Sequence, residues 1–276
     1  MARPPQTRAI LGSLRLNLLS VDSYQIASSR MKNLVKAAIA IAVSASFSGN
    51  PVLAAGKDFS SSVFDAGWVT DAGTIQAGKA FAINLDGCPD PLLVTALHLF
   101  GPSGGLTKKI EAVDLKKKVL RIELQNITKR ENIISFKAVS VTPDGALAGK
   151  TPMTGVGDFA SFSAPKSMRR VALNVATSVP AVGERLLVVT SVIGLAGRLV
   201  FEAETHGFQD GYLMYKFITP GFSLQATSGT PVLNLSGQVV AINLRGGVTK
   251  DGVAFGGANP ATAWVSALKG TCGTRE

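Results

Sequence analysis

The stretch Gln225–Asn234, which reads Q-A-T-S-G-T-P-V-L-N, contains the residues best suited to chemistry. It places Ser228 beside a glycine at a turn and then runs directly into an apolar strand. Such a turn can hold a hydroxyl clear of a sheet and direct backbone N–H groups at one point, as acyl transfer requires of a nucleophile and its oxyanion hole. Ser-Gly turns are also ordinary in β-proteins, so these residues alone leave both interpretations open.

The chain has only two histidines, so any Ser-His mechanism must use His98 or His206. Both precede Ser228, which excludes the order Ser, acid, His of the α/β-hydrolases. His98 ends the apolar run L-L-V-T-A-L-H, where the alternative is a structural histidine with a partner for each ring nitrogen. His206 lies in the polar stretch T-H-G-F-Q-D-G and is expected to be an exposed turn residue.

Metal or cofactor chemistry has little support in the sequence. There is no CxxC motif, no HExxH motif and no cluster of carboxylates. These are the patterns by which common metal sites are recognised. We therefore expect neither a metal site nor a cofactor.

Short β-strands are the elements expected to carry these residues. No helical pattern separates consecutive strands, which argues against parallel βαβ units. The predicted strands are 81–85, 92–96, 119–124, 133–141, 159–162, 171–176, 186–193, 198–204, 211–218, 232–235 and 239–244, the last two joined as a hairpin across Ser236-Gly237.

The polar stretch 163–170 divides these strands into two similar sets. We therefore predict an all-β fold of two antiparallel six-stranded β-barrels, an N-terminal one over residues 56–165 and a C-terminal one over 166–276. A short C-terminal helix is predicted to follow, with Asn259 as its N-cap, Pro260 in its first turn and Gly270 just past its end.

Residues 31–55 have the pattern of a secretory signal peptide. A short basic segment after Met31 precedes an apolar stretch too short to be a stable anchor, and cleavage is expected after Ala54 or Ala55. An uncleaved membrane anchor is the alternative. Residues 1–30 are interpreted as an upstream extension, with translation starting at Met31 or with an extended leader. We expect an exported protein, periplasmic or extracellular, without stable membrane insertion after cleavage.

Export would place the two cysteines, Cys88 and Cys272, under oxidising conditions. An even pair in an oxidising compartment is suited to form a disulfide. Two unpaired thiols are the alternative, because spacing along the chain does not reveal distance in space.

The basic charge does not indicate nucleic-acid binding. Residues 1–54 contribute half of the formal charge of +10. The remaining basic runs contain no interleaved aromatic residues, which is typical of solvated loops. We expect no nucleic-acid partner.

Three motifs together resemble the trypsin/chymotrypsin-like serine peptidases, in particular bacterial exported members with a single peptidase domain. They are V-T-A-L-H around His98, G-D-F-A-S-F around Asp158 and A-T-S-G-T-P-V-L-N around Ser228. They occur in the family's order of His, Asp, Ser, and the family's two-barrel architecture matches the strand count. The resemblance spans nearly all of residues 58–270 but is sharp only at these motifs.

The resemblance implies a role for each residue. Ser228 would attack an acyl carbonyl, His98 would take its proton and return it to the leaving amine, and Asp158 would orient the imidazole. Asp158 is preferred over other acids because it leads into the apolar run that begins at Phe159, whereas Asp144 sits in an exposed P-D-G turn.

The oxyanion hole would use the backbone N–H groups of Ala226 and Ser228. Here the chain departs from the family, which has glycine at the positions of Ala226 and Thr230. Glycine suits position 226 in the family because conformations found there cost less without a Cβ. Losing one oxyanion donor typically slows an enzyme by about 100- to 1,000-fold.

The resemblance also implies substrate-binding residues. Phe222 would floor the pocket for the side chain whose carbonyl is attacked, which favours small or apolar side chains. Ala241, Ile242 and Asn243 would form the wall and edge along which a substrate strand adds by backbone hydrogen bonds.

The sequence therefore predicts an exported serine endopeptidase that hydrolyses polypeptides through a His-Asp-Ser triad. The alternative from another class is a catalytically silent trypsin-like fold that binds a peptide or a protein. Ala226 and Thr230 motivate that alternative.

Overall fold

The strands form two β-sheets, one after the other along the chain. The computed structural model describes residues 58–192, 195, 197–218 and 224–272. Its strands are β1 Val63–Thr70, β2 Gly73–Asn84, β3 Leu92–Thr95, β4 Val119–Asn126, β5 Ile133–Lys137, β6 Ala160–Ser163, β7 Leu173–Asn174, β8 Arg185–Val189, β9 Val200–Gln209, β10 Tyr212–Phe217, β11 Pro231–Asn234, β12 Val239–Val248 and β13 Ala254–Pro260.

The helices are few and short. The α-helices are α1 Leu115–Lys118 and α2 Ala261–Cys272. The 3₁₀ turns are Phe59–Ser62, Leu97–Phe100, Pro102–Gly104, Ala112–Asp114, Pro152–Thr154 and Lys166–Arg170. The strands β1 and β13 were not predicted from the sequence.

The second sheet is a closed barrel in the order β10-β13-β12-β11-β8-β9. All of its ladders are antiparallel. The hairpin predicted across Ser236-Gly237 is confirmed as β11 and β12, and the amide of Gly237 donates to the carbonyl of Asn234 at 2.9 Å. The predicted C-terminal six-stranded barrel is therefore confirmed.

The first sheet is open, which corrects the prediction of a second closed barrel. Its order is β5-β4-β1-β2-β3-β6, with β7 added in parallel to β2. Where closure would need β5 beside β6, residues 138–142 lie against β6 instead, with a single bridge between Ser140 and Phe162. The amide of Ser163 donates to the carbonyl of Val139 at 2.9 Å. A loop thus satisfies part of the β6 edge without forming a ladder.

The core of the first sheet follows from side-chain alternation. Every second residue of β1 from Phe64 to Thr70 is buried, as expected when one face of a strand packs inward. Trp68 on that face is fully buried, and its ring centroid lies 5.0 Å from those of Phe100 and Phe162. This aromatic cluster lies under the turn that carries His98.

The C-terminal helix begins later and ends later than predicted. Asn259 and Pro260 belong to β13, because the β12 ladder extends to a pairing of Ala241 with Pro260. Helix α2 then runs from Ala261 through Gly270 to Cys272. Asn259 is therefore not an N-cap, and its side chain is used elsewhere.

Helix α2 is fastened to the first half of the chain. The ring of Trp264 stacks on that of Phe159 with centroids 4.8 Å apart and planes inclined by 15°. Cys272 forms a disulfide with Cys88, 184 residues earlier in the chain.

The predicted upstream extension (1–30) and signal peptide (31–55) lie outside the described residues. No helix in the described ranges is long and apolar enough to cross a membrane.

Candidate active site

His98 and Asp158 form a hydrogen-bonded pair. His98 lies in the 3₁₀ turn that directly follows β3. Its Nδ1 lies 2.7 Å from Oδ2 of Asp158, and its backbone N–H donates to Oδ1 of the same carboxylate at 2.9 Å. With Nδ1 as the donor to the carboxylate, Nε2 is the nitrogen left to accept a proton. The sequence prediction paired these same two residues.

The carboxylate of Asp158 is almost fully enclosed. The residue is 2% exposed, whereas the side chain of His98 is 19% exposed. Besides the two bonds from His98, Oδ2 accepts the backbone N–H of Gly149 at 3.0 Å. These donors satisfy the buried carboxylate oxygens and fix their orientation.

Asn259 anchors the loop that carries Asp158, a role that the sequence did not reveal. It is fully buried at the end of β13. Its Nδ2 donates to the carbonyl of Val156 at 3.0 Å and to that of Asp158 at 3.3 Å. Gly157 lies close against this amide, since a Cβ on Gly157 would stand 3.0 Å from Nδ2. The barrel therefore holds the candidate acid supplied by the first half.

Ser228 lies in a turn that is bonded to both sheets. The backbone N–H of Lys79 on β2 donates to the carbonyl of Ser228 at 2.7 Å. The next residue, Gly229, donates to the carbonyl of Asn243 on β12 at 2.8 Å. The turn is thereby fixed at the junction of the open sheet and the barrel.

Gly229 shows how closely this turn approaches the first sheet. A Cβ at that position would stand 2.0 Å from the carbonyl oxygen of Lys79 and 2.6 Å from Oγ1 of Thr95. The hydroxyl of Thr95 in turn donates to the carbonyl of Lys79 at 2.6 Å. Thr95 ends β3, three positions before His98, so the candidate base and the candidate nucleophile are carried by segments in direct contact.

The hydroxyl of Ser228 does not point at the imidazole. It donates to the main-chain oxygen of Leu244 at 2.9 Å. No hydrogen bond joins Ser228 to His98, both of which the structure describes. The candidate nucleophile is thus positioned by its main chain, and its side chain occupies a resting rotamer.

Ala226 has a left-handed backbone conformation, with φ at +61°. In the described residues only Asp210 is another non-glycine residue with positive φ. The left-handed region costs an L-residue with a Cβ roughly 1–2 kcal/mol. In the described part of the chain, the amides of Ala226 and Ser228 have no hydrogen-bond acceptor, so both predicted oxyanion donors are free to receive one.

A buried polar network supports the turn from inside the barrel. Nδ2 of Asn243 donates to the carbonyl and to Oγ1 of Thr227, both at 3.1 Å. The hydroxyl of Tyr215 donates to Oδ1 of Asn243 at 2.7 Å. Burial raises the pKa of Tyr215 well above its usual value, so this phenol stays a donor. Thr230 is the other position at which the chain departs from the family pattern. Its hydroxyl donates to Oγ1 of Thr190 at 3.0 Å.

The predicted substrate edge begins too early in the sequence. Ala241, Ile242 and Asn243 are buried, and their backbones pair on both sides, with β11 or the Ser228 turn and with β13. After a register shift between Asn243 and Arg245, the exposed part of β12 begins at Arg245. Phe222, the predicted pocket floor, lies outside the described residues.

A cavity of about 440 Å³ adjoins Ala226 on the side of the first sheet. Its walls include Asp65, Lys79, Glu123 and Gln125. Nζ of Lys79 lies 2.5 Å from Oδ1 of Asp65, and the Lys79 side chain is only 7% exposed. The cavity wall is therefore polar, and the charges of Lys79 and Asp65 neutralise each other.

The remaining predicted residues lie elsewhere. His206 is exposed on strand β9 and not in a turn, since β9 continues to Gln209. In the described ranges no group of three or more His, Cys, Asp or Glu residues could hold a metal ion.

Comparisons with known proteins identify the fold. The Rv3671c protease of M. tuberculosis in its active form is similar to this chain, with 17% sequence identity over 82% of this chain and 86% of that one and a TM-score of 0.50. A serine endoprotease from Yersinia pestis matches at 14% identity over 77% of this chain and 63% of that one, with a TM-score of 0.46. No protein-family model and no curated protein matches the sequence. The chain has the fold of trypsin-like serine proteases.

Proposed function

We propose that the protein is an exported serine endopeptidase that hydrolyses peptide bonds through an acyl-enzyme. The observation that carries this proposal is the hydrogen bond from His98 Nδ1 to the buried carboxylate of Asp158, at 2.7 Å, beside the anchored Ser228 turn. In a fold of serine proteases, this pair would provide an oriented base for the hydroxyl of Ser228.

The reaction would proceed in two halves. Oγ of Ser228 attacks the substrate carbonyl while Nε2 of His98 takes the hydroxyl proton, and the tetrahedral adduct collapses as that proton passes to the leaving amine. Water then attacks the acyl-enzyme with the same base, and Ser228 recovers its proton as the acid leaves. Asp158 stabilises the imidazolium that forms in each half without itself being protonated.

Developing charge on the substrate oxygen would be met by the amides of Ala226 and Ser228. Both lack a hydrogen-bond acceptor in the described part of the chain. Preorganised donors of this kind supply much of the rate in acyl transfer.

One rearrangement must precede attack. The Ser228 hydroxyl has to leave the carbonyl of Leu244 and turn to His98. A substrate strand added along β12 could supply a backbone N–H to that carbonyl in its place, because the strand is exposed from Arg245 onward. Substrate binding and activation of the nucleophile would then be coupled.

Substrate preference and location complete the proposal. With Phe222 at the pocket floor, small or apolar side chains would be favoured next to the attacked carbonyl. The signal peptide predicted at 31–55 would direct export. The disulfide between Cys88 and Cys272 supports an oxidising compartment, where such bonds persist.

A catalytically silent fold that binds a peptide or a protein is the second candidate. The resting rotamer of Ser228 and the left-handed backbone of Ala226 favour it. Catalytic hydrogen bonds are nevertheless often long or unmade in proteins without substrate, and this is why the peptidase is preferred.

Fluorophosphonate labelling of the mature protein tests the proposal. We expect label on the wild type and on Ser236→Ala, a control serine exposed in the β11–β12 hairpin, and none on Ser228→Ala. An unlabelled wild type that still binds peptides would favour the silent fold. Equal labelling of Ser228→Ala would remove Ser228 from the mechanism.

A further inference from the structure

Arg245 is an exposed cation one residue beyond a contact of the candidate nucleophile. It follows Leu244, the residue whose carbonyl accepts the hydroxyl of Ser228. Its guanidinium lies over the ring of Tyr212, 4.2 Å from the centroid. Arg245 is exposed, whereas Tyr212 beneath it is only 5% exposed.

The side chain of Arg245 lies against the neighbouring strand and an aromatic ring. It crosses Gly257 on the neighbouring strand β13, where a Cβ would stand 2.9 Å from Nε and 3.1 Å from Cγ. Any larger residue at 257 would displace it. Stacking on Tyr212 at the far end adds a cation–π contact. A guanidinium held in this way loses less conformational freedom when it forms hydrogen bonds.

Arg245 has no carboxylate partner in the described part of the chain. The arginines that form ion pairs there are Arg121, with Glu123, and Arg185, with Glu202. Burial raises the pKa of Tyr212, with Arg245 acting against that rise and with Asp158 and then Asp210 adding to it. Arg245 and these two carboxylates therefore all act electrostatically on this phenol. Asp158 itself is buried and accepts three N–H donors, so its charge is not presented to a ligand.

The backbone at Arg245 offers an edge for an extended ligand. On one side Arg245 pairs with Gly257 and Gly246 pairs with Gly256. On the other side the ladder with β11 ends at Ile242, and no described strand continues it. A peptide that adds there in the antiparallel sense, with its attacked carbonyl at Ser228, places alternate side chains on the face of Arg245.

We infer that Arg245 selects substrates with an acidic side chain at the second or fourth residue on the acyl side of the scissile bond. This inference rests on the proposed function for the direction of the peptide. The ligand chemistry is a carboxylate, which the fork of N–H donors on a guanidinium can bind through two hydrogen bonds. Because the site is exposed, the preference is modest and decreases with salt.

Matched peptides test the inference in two independent ways. Peptides that carry Glu, Gln or Lys at the second or fourth position are compared first as substrates of the wild type, Arg245→Met, Arg245→Glu and Arg170→Met. The last variant removes one exposed positive charge from the 3₁₀ turn Lys166–Arg170 and serves as the control. The same peptides are then compared as ligands of Ser228→Ala and of Ser228→Ala combined with Arg245→Met.

We expect the wild type and Arg170→Met to favour Glu over Gln by about fivefold in kcat/KM at low salt. Arg245→Met should lower the ratio to about one, and Arg245→Glu should favour Lys at the same position.

Equal cleavage of Glu and Gln peptides by the wild type, or an unchanged preference in Arg245→Met, would overturn the inference while leaving the peptidase intact. A different result is that the wild type cleaves no peptide, while Ser228→Ala binds the Glu peptide more tightly than the Gln peptide and the added Arg245→Met abolishes this difference. The peptidase proposal then fails, and the role of Arg245 in binding stands. If no peptide is cleaved and none is bound preferentially, both the peptidase proposal and the role of Arg245 are overturned.

Discussion

The hydroxyl of Ser228 donates to the carbonyl of Leu244 at 2.9 Å, while Nδ1 of His98 is already bonded to Asp158 at 2.7 Å. The candidate base and acid are therefore paired, while the hydroxyl of the candidate nucleophile is bonded elsewhere. The main chain of Ser228 is anchored to Lys79, so under the proposed function its side chain would have to turn to His98.

Asp158→Asn should reduce kcat on the order of 10⁴-fold with little loss of fold. The asparagine amide can donate its Nδ2–H to Nδ1 of His98, where the carboxylate accepted a hydrogen bond. This favours the tautomer in which Nε2 carries the proton, and Nε2 then cannot accept the hydroxyl proton. Steady-state kinetics on a cleaved peptide would measure the loss. Asp144→Asn, at an exposed turn between His98 and Ser228, is the matched control and should be unaffected. A full rate in Asp158→Asn would exclude this acid from the mechanism.

Asn259→Ala should lower kcat by about 10- to 100-fold, since small displacements of a catalytic group have costs of this size. It should also reduce the free energy of unfolding by about 1–3 kcal/mol, because the carbonyls of Val156 and Asp158 lose a buried donor.

A readout specific to positioning is the low-field proton resonance of His98 Nδ1, which should broaden or shift in Asn259→Ala. Only two histidines are present, so assignment is direct. Asn234→Ala in the β11–β12 hairpin is the matched control. An unaltered resonance with reduced stability would mean that Asn259 is merely structural.

Ala226→Gly should raise kcat/KM severalfold, because glycine adopts the left-handed region at no cost in Cβ strain and lets the amide reach an oxyanion more often. Asp210→Gly is the control, since it relieves a positive φ of 51° at the turn between β9 and β10. Both variants would be measured for stability and activity. A gain in activity from both, or from neither, would contradict the role given to the Ala226 amide.

Gly229→Ala should destabilise the protein far more than Gly87→Ala. Both glycines have similar φ, 86° and 88°, so both substitutions carry the backbone cost of about 1–2 kcal/mol. Only at Gly229 would the Cβ meet a carbonyl, that of Lys79 at 2.0 Å, whereas nothing lies within 4 Å at Gly87.

That collision should add about 1–3 kcal/mol and displace the Ser228 turn, so activity falls in Gly229→Ala at temperatures where the protein is still folded. Thermal unfolding and kinetics on both variants would show it. Equal behaviour of the two alanine variants would argue against tight docking of the turn on β2.

The sequence was most informative where local pattern and chain order agreed. The Ser228 hairpin was predicted from an apolar run on each side of Ser236-Gly237, and β11 and β12 confirm it. The apolar residues after Asp158 predicted a sheltered carboxylate, and the residue is 2% exposed.

The features that escaped prediction depend on contacts between distant residues. Asn259 was assigned to a helix cap because its local pattern allows one, yet its side chain serves Val156, 103 positions away. The substrate edge was placed at Ala241–Asn243 by the family resemblance, and that alignment does not reveal the register shift after which β12 becomes exposed at Arg245. The prediction that the first sheet closes was wrong because residues 138–142 cover β6 without pairing as a strand. Counting strands in the sequence cannot detect such a loop.

The attachment of Asn259, Trp264 and Cys272 to the first half of the chain has a consequence for when the site is completed during synthesis. The loop at 156–159 leaves the ribosome about a hundred residues before the amide and the ring that hold it. Nascent chains that end before these residues can fold local strands but lack the anchor of the candidate acid. The order of synthesis therefore delays anchoring of the Asp158 loop until residues 259–272 have been made and docked.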